Sequence, residues 1–408
     1  MRIEKITDNY DIQIASKNLV IMSKYIFYCI LAVLFITTTS SCKKGQAGSY
    51  SSDKDMIVAA KLFNKLDADA LQEKVEIAQR LGVVNQFLIF PEQVHRDGAA
   101  EVLNNSGIDL WLIAPIFYND ENAYNSSNEL MLPSGSSPNW AICDDGKVAH
   151  DEDWLTMVCP NDFEYLEHRI EYIKAAMRKC HFTGVSLDFM RHFVYWEETR
   201  PHTDPKTLRN ACFCDVCIDD FAAKESISIT GNNTVEKANF IKDRYFKQWT
   251  AYKCAKIHEA VEYILAELRV EFPDLKSNIH AVPWSNEDYD DAIRSIAGQD
   301  FSLLSKRLDQ ISIMTYNRML ERPAQWINNI TYDVVSVVNS RVPVVPTIEG
   351  ATSGSVTDSD FENALINAIK PPSAGVVIWQ FERLTEERIK IIERVLKVSS
   401  QQKLNKNI

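Results

Sequence analysis

Positive charge is scarce in this chain: 44 Lys and Arg are outnumbered by 56 Asp and Glu, for a formal net charge of −12. Phosphate backbones are gripped by basic surfaces, so a nucleic-acid partner is excluded, while neutral or cationic small substrates stay open. A glycine-rich turn after the first strand-like run is also missing, which argues against an open dinucleotide-binding sheet, and no other cofactor motif is visible. There is no short repeat of the solenoid or propeller kind. Past the N-terminal region, no apolar run is long enough for a bilayer span of about 20 residues. What the chain does have is an ordinary globular composition, 46% hydrophobic and 25% charged, over 408 residues. That length leaves room for two average domains or for one barrel of about 250 residues or more.

The N-terminal region reads MSKYIFYCILAVLFITTTSSC from Met22, with Lys24, an apolar run from Tyr25 to Ile36 and small residues up to Cys42. This is the layout of a secretory signal, and the apolar run, roughly a dozen residues, is short for a membrane span. A cysteine directly after small residues resembles a bacterial lipobox, with Thr39 where a Leu is usual. The resemblance implies an exported protein, membrane-attached through a lipidated Cys42. Residues 1–41 are then an upstream extension and signal, 42–54 a polar tether, 55–400 the folded body and 401–408 a polar tail.

Within the body, strand-like apolar runs alternate with helical stretches. The runs are MIVAAKLF (56–63), NQFLIFPEQV (85–94), IDLWLIAPIFY (108–118) and GVSLDFMRH (184–192). SNIHAVPW (277–284), QISIMTYNRM (310–319), VPVVPTIEG (342–350) and GVVIWQFERL (375–384) complete the series. Apolar runs bounded by helices signal buried parallel strands. Eight such units predict an α/β fold of the closed (β/α)8 barrel type, one domain with long loops after the third and fourth strands.

In such barrels the active site lies at the C-terminal ends of the strands. Those ends carry Glu92, then Asp188, Arg191 and His192, then His280 and Trp284. They continue with Tyr316, Asn317 and Arg318, then Glu349, and finally Trp379 and Glu382. The two long loops add Trp140, Trp154, Tyr195 and Trp196, whose flat faces suit sugar rings. Glycosidic hydrolysis needs two carboxyl groups. Asp188 is the expected nucleophile or base and Glu349 the expected general acid, with Glu382 and Glu92 in reserve. A substrate contact is expected from Arg191, His192, His280, Trp284, Tyr316, Asn317, Trp379 and Glu382. For Asp188 the bland alternative is an ion pair at the strand end, for Glu349 a salt bridge at the rim, and for His280 a satisfied structural histidine.

GVSLDFMRH resembles the fourth-strand motif of several TIM-barrel glycosidases and of glycosyl hydrolase-like families related to them. QISIMTYN resembles the sixth strand of family 18 chitinases, and GVVIWQFE their eighth strand with its pocket-floor tryptophan. The resemblance implies a carbohydrate substrate and no catalytic cofactor. It also departs from the chitinase pattern D-G-x-D-x-D-x-E, because Met190 stands in the acid position and Ser186 replaces an aspartate. Methionine cannot donate a proton, so chitinase-type substrate-assisted hydrolysis is not expected. The same departure supports a second reading, an inactive barrel that binds glycans at the cell surface. A third is a barrel enzyme acting on a non-sugar substrate.

Of the 9 cysteines, Cys29 lies in the signal and Cys42 at the lipid position. CFCDVC sets Cys212, Cys214 and Cys217 within six residues, in the loop after the fourth strand. Three thiols so close suit a structural zinc clip with a fourth ligand from Cys159, Cys143 or His202. The alternative is a disulfide network, which an exported protein permits.

Overall fold

The computed structural model describes residues 56–119, 137–151, 154–351 and 356–406. The signal, the lipid cysteine Cys42 and the tether lie outside the described residues. Eight strands form the body: β1 Ile57–Lys61, β2 Gln86–Ile89, β3 Asp109–Pro115, β4 Gly184–Asp188, β5 Lys276–Ala281, β6 Gln310–Met314, β7 Val344–Glu349 and β8 Gly375–Trp379. They close into a barrel of parallel neighbours in chain order, and β1 returns to β8 with Ile57 opposite Gly375. The fold is therefore the (β/α)8 barrel that the alternating pattern predicts.

Both faces of every strand are covered, so the period of two separates two kinds of interior rather than core from solvent. Residues such as Val58, Phe87, Leu112, Val185, Ile311 and Ile378 point outward into one large core shared with the helices. Their neighbours point inward, where Ala59, Leu88, Trp111, Ile113, Val345 and Val377 form a separate small cluster. Trp111 fits there because its register partner is Gly184, where an added Cβ would lie 2.5 Å from the indole. Above this apolar layer the inward positions turn polar, with Ser186, Asn278, His280, Ser312 and Thr347 all fully buried. The charged and aromatic residues sit at the last inward positions.

Helices cover the outside. The helix Ala68–Leu81 starts where the Asp67 carboxylate accepts from the Ala70 amide and stops at Gly82, whose φ of 67° is one that glycine adopts without strain. The longest, Thr234–Glu271, kinks at Tyr245. The last, Glu386–Lys406, continues into the polar tail expected from 401.

The two long excursions leave from the C-terminal end of the barrel. The one after β3 contains a small antiparallel sheet of Tyr118–Asn119, Leu155–Met157 and His150–Asp151. The one after β4 includes the short 3-10 turn Trp196–Glu198 and the helix Asp215–Glu225. They are stitched together, because the Phe213 amide donates to the Ile142 carbonyl at 2.7 Å and the Asp144 amide to the Asn210 carbonyl at 2.8 Å.

Candidate active site

The strand-end positions converge as the barrel geometry requires, and their centre is an ion pair. Asp188 is buried and its Oδ2 lies 3.3 Å from Lys61 Nζ, itself buried at the end of β1. The other oxygen, Oδ1, accepts from the Phe189 amide at 2.9 Å. Burial alone would raise the Asp188 carboxyl, but the Lys61 and His280 charges and these two hydrogen bonds outweigh it and hold the pKa below the ordinary value. His280 supplies little of that charge at neutral pH. Burial, together with Lys61, pushes its own pKa down to about 3, so Lys61 is the effective cation. Lys61 was not among the candidates read from the sequence.

Beneath the pair runs a polar chain. His280 Nε2 lies 3.0 Å from Ser186 Oγ, which accepts from Asn278 Nδ2 at 2.6 Å. The other ring nitrogen, Nδ1, is buried with no hydrogen-bond partner among the described residues. At the exit of β4 the backbone of Phe189 is left-handed, with φ of 49°. That conformation is uncommon outside glycine and is held here by the stack of Phe189 on Tyr118, with ring centroids 4.6 Å apart.

Two aromatic groups face this centre. On the β1, β6 and β8 side, Tyr316 stacks on Trp379 at 4.5 Å, and Phe63, half exposed, meets Trp379 edge-on at 5.9 Å. Buried Trp196 packs on Tyr316 at 5.7 Å. On the excursion side, Trp154 meets Phe189 at 6.5 Å and Tyr195 at 5.9 Å. Tyr316 is raised well above its ordinary pKa by burial and by the negative charges of Asp188, Glu349 and Glu197, so its hydroxyl keeps its proton.

The remaining carboxyl groups differ in what holds them. Glu349, buried at the end of β7, accepts at Oε2 from the Arg318 amide at 3.0 Å and the Met319 amide at 3.4 Å. Glu382 accepts from the Phe63 and Asn64 amides at 3.3 and 3.0 Å, fastening the β8 loop to the β1 loop. Glu92 is not a strand end, since Pro91 starts a short helix, Pro91–Val94, and Glu92 accepts from the Tyr172 hydroxyl at 2.9 Å. Glu197, which sequence reading passed over, is half-buried on the β4 excursion. Burial pushes its carboxyl up to about 7, with Arg191 opposing and Asp188 and Glu198 adding to the rise.

Other expected site residues serve the loops. Arg191 is buried, donates to the Val194 carbonyl at 2.7 Å and lies over the Phe189 ring at 5.2 Å. His192 turns toward the long helix, with Nε2 3.3 Å from the Lys253 carbonyl and its ring against Gly298. Trp284 is buried and packs edge-on against Tyr289 at 5.1 Å. Asn317 closes the turn to Arg322, its Nδ2 donating to that carbonyl at 3.2 Å.

The cysteine motif gains its fourth member from the other excursion. The Sγ atoms of Cys159, Cys212, Cys214 and Cys217 lie within 4.8 Å of one another, and Cys159 stands 3.4 Å from both Cys214 and Cys217. A tetrahedral ion with metal–sulfur bonds of about 2.3 Å sets sulfurs about 3.8 Å apart, so the spacing fits. Amides of Ile142 and Asn161 point at Cys212 and Cys159, each at 3.4 Å, as they would toward thiolates. The thiols share protons: Cys159, Cys212 and Cys217 draw the Cys214 pKa down, while those of Cys159 and Cys217 rise well above the ordinary value. Four adjacent thiolates need a cation, so the donor set suits a structural metal. Cys143 is buried outside the group, His202 is exposed, and all seven described cysteines are free thiols.

No family model and no curated protein matches this sequence. Solved structures do match its fold. The glycoside hydrolase domain of PgaB (BpsB) from Bordetella bronchiseptica superposes with a TM-score of 0.62 at 9% identity, over 84% of this chain and 99% of that one. The catalytic domain of beta-amylase from Paenibacillus polymyxa gives 0.58 at 10% identity, over 85% and 98%. The beta-galactosidase from Rahnella sp. R3 gives 0.55 at 12% identity, over 86% of this chain and 57% of that one. These neighbours are glycoside hydrolase barrels, and at such identities the likeness is one of fold.

Proposed function

We propose that this chain is a glycoside hydrolase that cleaves glycosidic bonds of an oligo- or polysaccharide at the mouth of its barrel. One observation carries the reading: Asp188, at the end of β4, is kept anionic by buried Lys61 while the Tyr316 and Trp379 rings stand beside it. An anionic carboxylate at that point serves as nucleophile on the anomeric carbon or as base for the attacking water. The Tyr316 hydroxyl, which keeps its proton, donates to a substrate oxygen or to a carboxylate. A second carboxyl group is at hand in Glu349, the acid the sequence leads one to expect, and in Glu197, since both charges reach Tyr316. Sugars stack on the two aromatic groups. The fold of the PgaB and beta-amylase domains agrees with this reading.

The same proposal places the protein at the cell envelope, exported and anchored through lipidated Cys42, on the strength of the signal-like segment before it. A zinc ion held by Cys159, Cys212, Cys214 and Cys217 would lock the two excursions together and take no part in the reaction.

The test is reducing-sugar release by the chain from Lys43 onward against a panel of polysaccharides and oligosaccharides, with Asp188→Asn and Glu349→Gln alongside. Release abolished by Asp188→Asn with folding intact supports the reading. One observation favours a glycan-binding barrel without catalysis, namely that buried Met190 fills the chitinase acid position. Silence across the panel with glycan binding retained would select it.

A further inference from the structure

We infer that Glu197, on the excursion after β4, is the group that protonates the leaving oxygen. This rests on the glycosidase reading above. The chain around Glu197 spans the mouth: Tyr195 belongs to the Trp154 group and Trp196 packs on Tyr316 in the other. The residue that follows these two aromatics is a carboxyl group, Glu197.

Its hydrogen bonding is incomplete. The Glu197 carbonyl accepts from Arg200 Nη1 at 3.0 Å, but the side-chain Oε2 is buried with no partner among the described residues. A buried, unpaired carboxyl oxygen is costly, and in a cleft a bound substrate can supply the missing partner. The charged groups that reach it are Arg191, Asp188 and Glu198, and its own charge reaches Tyr316. Arg191, the one cation among them, already donates to the Val194 and His192 carbonyls at 2.7 and 3.5 Å. The carboxyl accordingly keeps its proton up to about pH 7. Glu349 differs in its partners: two amides, those of Arg318 and Met319, donate to its Oε2.

In the reaction, the C1–O bond breaks and its electron pair stays on the leaving oxygen, which takes the Glu197 proton. Asp188 either bonds to C1, to be displaced later by water that returns a proton to Glu197, or takes the proton of the water that attacks C1 directly. Either way one water is consumed; in the second route Asp188 then releases its proton to solvent and Glu197 takes one up, so both carboxyl groups return to their starting states.

The experiment compares the chain from Lys43, unsubstituted and as Glu197→Gln and Glu349→Gln, on phenyl and dinitrophenyl glycosides of glucose, galactose and N-acetylglucosamine in both anomers. Phenolate needs a proton to leave and dinitrophenolate does not. Expected for Glu197→Gln is a loss of about 100- to 10,000-fold in kcat/KM on the phenyl glycoside, a far smaller loss on the dinitrophenyl one, and disappearance of the alkaline limb of the pH profile. An equal loss on both substrates, no loss on either, or a leaving-group-dependent loss in Glu349→Gln instead would overturn the assignment while leaving the glycosidase standing. Unsubstituted protein that cleaves neither series would remove the glycosidase reading itself. Independently of any variant's folding, carbon-13 NMR of labelled glutamate should show the Glu197 carboxyl titrating near 7, and a midpoint near the ordinary 4.5 would overturn the inference.

Discussion

At the end of β4, Asp188 meets a buried ammonium and a backbone amide, and its carboxylate is charged. Further along the same stretch of chain, Glu197 lies beside Trp196 with a single guanidinium nearby, and its carboxyl is protonated near neutrality. One site thus holds two carboxyl groups in opposite states. The strand end obtains its state from a partner across the barrel, and the loop obtains its state from burial without a free partner. Pairs of titratable groups whose surroundings drive their pKa values apart are the usual basis of acid and base roles in one pocket.

The comparison breaks most sharply if Asp188 is neutralised. Asp188→Asn should reduce kcat/KM by about a thousandfold or more on every cleavable glycoside, whatever the leaving group, as read by initial rates. Next comes Lys61→Met, which leaves a buried carboxylate without its cation. Removing one partner of a buried pair costs about 3–5 kcal/mol, measurable by denaturant unfolding, and the acid limb of the activity profile should move to higher pH.

A smaller effect separates the two carboxyl groups by stability alone. Glu197 binds its proton more tightly folded than unfolded, so the protein should lose stability as pH rises from about 4.5 to about 7. Glu197→Gln removes that loss, so the variant should exceed the unsubstituted protein by about 1–3 kcal/mol at pH 8, with the gap closing below pH 4.5. Asp188 acts with the other sign, since its depressed pKa gives stability that is present above the ordinary carboxylate range and lost as pH falls through the folded value. The smallest effect is expected at the excursion platform. Trp154→Ala should weaken oligosaccharide binding by about 1 kcal/mol, roughly fivefold by calorimetry, with kcat for small aryl glycosides little changed.

Legibility follows the same division. Strand direction tells which residues end at the mouth, and so Asp188, His280, Tyr316, Glu349 and Trp379 could be read from apolar runs alone. Lys61 is legible in principle, because a lysine inside MIVAAKLF has to be paired or at an end, but apolar Leu62 and Phe63 carry the run past the strand end at Lys61. Arg191 and His192 turn to the Val194 and Lys253 carbonyls for a physical reason. The left-handed backbone at Phe189 ends the strand's alternation, so positions beyond it no longer point where a period of two would send them. Glu92 was displaced by Pro91, which begins a helix where a strand end was expected. Glu197 lay out of reach because no periodicity governs a loop. Its one signal was a carboxyl group between Tyr195-Trp196 and the acidic Glu198. The cysteine motif announced three ligands, but only the pairing of the two excursions chooses Cys159 over Cys143 and His202.

That pairing constrains how this scaffold can be altered. The excursion after β3 contributes Cys159 and the strand edge at Ile142, while the excursion after β4 contributes the other three thiols and the segment bearing Glu197. Grafting either loop from another barrel would leave its counterpart with an incomplete sulfur set and an unpaired edge. Residues 137–162 and 189–225 therefore make up one exchangeable module, and substrate preference in this scaffold has to be redesigned by transplanting both halves together.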